Sequence, residues 1–202
     1  MNRTKRNAEY FFEIIKNTDL ESKKQNEDIV IKDFIFEGEL IDVYNETISS
    51  PVLIKNCEFE VGFFKMQDCG FMQDLTFESC KFYCVLYMNN IEVKASLNFC
   101  GVQMEKVHIS KCAISKVNIA RTKINTLTVD LINIENLNTG GYMRSNKIDS
   151  LLLINTTNSC GSRVEVLNDE IGKLTLNGIN KSSVFNFEEI TCNNINIEGF
   201  HN

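Results

Sequence analysis

The chain has 202 residues, 43% of them hydrophobic, with one proline, no tryptophan and a net charge of −6. That apolar content suits a continuous core and not a disordered chain. The charge is uneven: residues 1–50 hold 7 Lys+Arg against 11 Asp+Glu, while 51–138 hold 9 of each, so the neutral body supports neither a basic nucleic-acid stripe nor full-length acidic mimicry of DNA.

In chain order, the first element spans 7–17. Ala8, Phe11, Phe12 and Ile15 stand at helical spacing, which predicts a short amphipathic helix. Its apolar stripe suits an end cap over an adjoining repeat structure, or a docking helix for a partner. Lys23–Glu27 reads as a solvated linker, so residues 1–28 form an N-terminal helix and linker.

From Ile29 onward one spacing recurs: apolar, any, apolar, two others, apolar, any, apolar. It reads Ile29, Ile31, Phe34, Phe36, then Val52, Ile54, Cys57, Phe59, then Phe64, Met66, Cys69, Phe71, and runs on to Leu127, Val129, Ile132, Ile134. Apolar residues two apart point to one face of an extended segment. The two-residue gap turns a corner and points the next pair inward again. Two such units, 20–23 residues, make a four-sided coil that must stack on its neighbours to bury anything. After 138 the rhythm breaks, then returns at Val164/Val166, Leu174/Leu176, Phe185/Phe187 and Ile195/Ile197. The expected fold is all-β: a parallel β-helix of about eight coils over 29–202. Loop insertions are expected near 44–51, 138–147 and 155–162.

The local matches Asn56-Cys57-Glu58-Phe59, Asp68-Cys69-Gly70-Phe71, Ser79-Cys80-Lys81-Phe82 and Lys111-Cys112-Ala113-Ile114 resemble the pentapeptide-repeat family. The pattern covers most of the chain, but Leu97, Leu127 and Ile132 are larger than the family's small residue at that position. The early coils also step by 11 or 12 where the family steps by 10. The resemblance implies a right-handed solenoid and a non-enzymatic binding protein. It also implies dimerisation through an end, with type II topoisomerases or a bacterial or phage conflict system as the setting. A self-associating structural solenoid and a carbohydrate-active β-helix are the alternatives.

Eight cysteines need an explanation. Cys57, Cys69, Cys80 and Cys112 fall at inward positions, and no C-x-x-C occurs, so they read as small core side chains and not as metal ligands. His108 should point outward, and no histidine constellation for acid–base work exists. The turn at 140–146 carries Tyr142, Met143 and Arg144, residue types favoured at interfaces and set in a loop, so these three are the candidate binding residues. No cofactor or metal is expected. Neither a signal-peptide core nor a membrane span is visible, which predicts a cytoplasmic protein that binds another protein, with a possible homodimer through the C-terminal coil.

Overall fold

The structure, a computed structural model, describes residues 3–25, 27–139, 147–154, 163–167, 170–177, 184–188 and 191–198. It is a parallel β-solenoid with one helix near its N-terminus. Strand β1 (Thr4–Asn7) leads into helix α1 (Ala8–Gln25), then β2 (Ile29–Lys32), β3 (Phe34–Tyr44) and β4 (Thr47–Ile48). Those last three strands make the first coil. They become four faces, because β3 bends at Gly38, where φ is +141° and an added Cβ would meet the Ala8 Cβ at 3.3 Å.

The register of one face shows the winding. Ile29 pairs with Val52, Val52 with Leu75, Leu75 with Leu97, Leu97 with Val117 and Val117 with Leu137. Those steps are 23, 23, 22, 20 and 20 residues, so the stretch 29–139 makes about five turns. The same ladder continues from Leu137 to Val164 and from Val164 to Phe185.

Two columns of corner residues turn the chain. One holds Asp33, Asn56, Ser79, Gly101 and Arg121; the other holds Asn45, Asp68, Asn90 and Lys111. All have φ between +52° and +65°. Asn, Asp and Gly tolerate this left-handed conformation better than other residues. Corner side chains also bridge adjacent turns: Asn56 Nδ2 donates to Asp33 Oδ1 and Asn90 Nδ2 to Asp68 Oδ1, both at 2.6 Å.

Past Glu46, which pairs with Lys16 at the surface, the residue after each later corner points inward, and here the cysteines find their reason. Cys57 Sγ donates to the carbonyls of Ile31 and Lys55, Cys80 Sγ to those of Ile54 and Glu78, and Cys69 Sγ to those of Val43 and Gln67. Thr122, in the same column as Cys57 and Cys80, repeats the arrangement with Oγ1 donating to Phe99 and Ala120 carbonyls at 3.3 and 3.0 Å. At these four positions a small side chain carrying one donor meets the carbonyls, while Ile91 and Val102 fill the place with apolar bulk alone.

The first end of the rod is covered. Asn7 Oδ1 accepts from the Tyr10 amide at 3.2 Å and caps α1. Ala8, Phe11 and Ile15 are buried, and the Phe11 ring packs edge-on against Phe36, Phe59 and Phe64 at 5.2, 5.8 and 5.0 Å. Asp19 Oδ1 accepts from the Ser49 and Ser50 amides, tying the helix to the first coil's last corner.

Three boundary expectations change. The segment from Lys23 was read as linker, but α1 runs through Gln25, in keeping with the strong helix formers Glu21, Lys23, Lys24 and Gln25. The expected insertion at 44–51 is part of the coil: Thr47–Ile48 pair with Gly70–Phe71, and Ile48 is buried. Strand also continues through Thr139, inside the expected loop at 138–147; residues 140–146 and 155–162 lie outside the described residues.

Candidate functional site

Tyr142, Met143 and Arg144 lie outside the described residues. His108 stands outward as expected, its ring stacked on Tyr87 at 5.1 Å with 2° between planes. Cys57, Cys69, Cys80, Cys84 and Cys112 are buried free thiols, while Cys100 and Cys192 are partly exposed. Burial pushes the Cys84 thiol up to about 12, and it pushes Cys69 upward too. Neither is set up as a nucleophile, which must be a thiolate.

What the outer surface offers is an apolar patch. Along each strand, inward residues alternate with outward ones. Most outward residues are polar, but Leu40, Tyr44 and Phe63 belong to one face in the first two turns and are 44, 54 and 56% exposed. Register places Phe63 between Leu40 and Val85 on successive rungs, which makes a short apolar ridge along the rod's edge. Tyr44 lies at the far end of the same face and stacks on Phe12 of α1, with centroids at 6.1 Å. The Lys16 ammonium lies 5.6 Å over the Phe12 ring and pairs with Glu46 at 3.1 Å. The helix therefore supports one edge of the patch as well as plugging the core.

Chemically, this surface offers apolar contact. It brings together aromatic and aliphatic side chains, with Lys65 and Asp42 between them as neighbours in register. Reasoning from sequence missed these residues because it followed the inward pairs. The available signal was the residue just before the inward pair Ile41/Val43 and just before Phe64/Met66: Leu40 and Phe63 are apolar where Lys106 and Thr126 stand in later turns.

No family model matches the chain, and no curated protein or solved structure matches it. Among the described residues no helix is long and apolar enough to cross a membrane.

Proposed function

We propose that this protein is a non-enzymatic binding module of pentapeptide-repeat-like type, whose rigid solenoid presents an apolar patch to a protein partner. The observation that carries this reading is the exposure of Leu40, Tyr44 and Phe63 on one face beside the helix plug. Contiguous apolar patches flanked by charge are the usual mark of protein contact surfaces. The resemblance in the repeats makes type II topoisomerases the first partners to try. The free thiols suit a reducing compartment such as the cytoplasm.

The test is affinity capture from host lysate with the wild-type chain and with Leu40→Glu/Phe63→Glu. Both substitutions are at exposed positions, so circular dichroism of the variant should match the wild type. A partner retained by the wild type and lost by the variant supports the reading. Equal recovery by both removes the patch from the function.

A second reading is self-association. Ile195 and Ile197 occupy inward positions on the last described rung, yet they are 55 and 50% exposed, whereas Leu174 and Leu176 one rung earlier are buried. Light scattering checks this: a dimer that becomes monomeric on Ile195→Lys/Ile197→Lys supports association through that rung. A monomeric wild-type protein rejects it.

A further inference from the structure

A depression of about 270 Å³ lies on the second face of the third to fifth turns, away from the Leu40–Tyr44 patch. Its floor is Phe82 and Met104, and its rim is Lys81, Tyr83, Gln103, Glu105, Lys123 and Asn125. Register stacks Lys81, Gln103 and Lys123 on consecutive rungs, which places the two lysines about 9.6 Å apart with the Gln103 amide between them. Lys81 is 3.6 Å from Glu58 Oε1, an oxygen that Arg3 already holds. Lys123 makes no ion pair among the described residues. The Tyr83 ring is 59% exposed, the most of any large hydrophobic among the described residues.

We propose that this depression binds an acidic saccharide, a hydroxyl-rich ring carrying an isolated carboxylate. The Lys123 ammonium beside the Gln103 amide suits one carboxylate, while Lys81 is drawn to Glu58 on the preceding rung. The planar amides of Gln103 and Asn125 and the carboxylate of Glu105 offer paired donors and acceptors to adjacent hydroxyls. Tyr83 gives a ring face for the apolar side of a pyranose. Other ligand classes fit less well. A phosphate chain would meet Glu105 inside the site and Glu60 on the strand paired with that of Lys81, on a body whose net charge over 51–138 is zero. A peptide could not add as a strand, because the strand bearing Gln103 is already paired on both edges, to 81–89 and to 123–139. The proposal stands apart from the protein-binding reading, since it uses another face.

The experiment is calorimetric titration of the full chain with galacturonic acid, which carries one carboxylate, and with galactose as the neutral counterpart. The expected result is saturable binding of the acidic probe alone, weakening as salt is added. Tyr83→Ala and Lys123→Gln should each weaken it by about tenfold, and Lys123→Arg should retain it. Both positions are exposed, and circular dichroism checks that each variant folds. Absence of saturable binding by the wild type overturns the proposal. So does equal binding by Tyr83→Ala and Lys123→Gln, or equally tight binding of a short oligothymidylate, which would mark a general attraction for polyanions.

Discussion

Lys111 and Arg121 hold φ of +54° and +53° in columns that elsewhere use Asn, Asp, Ser and Gly. A side chain with an ordinary Cβ costs about 1–2 kcal/mol in this conformation. Lys111→Gly is therefore expected to stabilise the fold by about 1 kcal/mol, read as a higher midpoint in urea. The inward neighbours make a second case. Thr122→Val keeps the shape of the side chain but removes a hydroxyl that donates to two carbonyls, so a loss of about 1 kcal/mol is expected, with Thr122→Cys closer to neutral. Asp68 accepts bonds from Asn90 and Gln67, which hold its carboxyl below the ordinary 3.8. Its folded value is thus depressed, so these bonds contribute fully above the unfolded value and are lost as pH falls through the folded one. The stability gap between the wild type and Asp68→Ala should shrink as thermal melts are moved from about pH 6 towards about pH 3. The inward pairs were readable from sequence because their period is short and chemically simple. The corner columns are less legible, although Asp33, Asn56 and Ser79 recur at the coil interval, because left-handed backbone leaves its mark in Asn and Asp placement and not in hydropathy.

At the scale of elements, the helix and the first strands form one unit. Phe11 is fully buried among Phe36, Phe59 and Phe64, so Phe11→Ala should cost about 3–5 kcal/mol by leaving a cavity in the plug. Equilibrium unfolding in urea measures this directly, and an effect under about 1 kcal/mol would mean that the plug contributes little. The apolar stripe Ala8, Phe11 and Ile15 was readable in advance, as was its suitability for capping. Strand β1 was not. Thr4-Lys5-Arg6-Asn7 has no apolar alternation, and it joins the solenoid through backbone pairing to Phe34–Glu37. Arg3 fastens its start: Nε donates to the Asn56 carbonyl at 2.9 Å, Nη2 to Asn56 Oδ1 at 2.7 Å, and Nη1 pairs with Glu58. A long-range clamp of this kind has no local signature.

At the scale of the whole molecule, the coil narrows between residues 29 and 139 and the core changes with it. Where the step is 23 or 22 residues, Phe36, Phe59, Phe64, Phe77, Phe82 and Phe99 fill the interior, with Phe59 and Phe82 stacked at 4.5 Å and Phe77 and Phe99 at 5.4 Å. Where the step falls to 20, the buried residues from Val102 to Leu127 are aliphatic or small: Val107, Ile109, Val117, Ile119, Ile124 and Leu127 among them. Perimeter and side-chain volume are matched turn by turn, which is why the intervals read from sequence translate into a taper. The exposed apolar patch did not translate in the same way, because outward residues carry no period to follow.

The plug also gives the rod a direction. Each turn touches only its neighbours, so the solenoid behaves as a one-dimensional array in which opening propagates from an end. Phe11 and the Arg3 clamp pin one boundary. Under tension the described turns should open one at a time, with the helix-plugged aromatic turns last. The molecule would then work as a ratchet with one fixed stop: tension strips the aliphatic turns, and the helix-plugged turns remain as the seed on which they rewind.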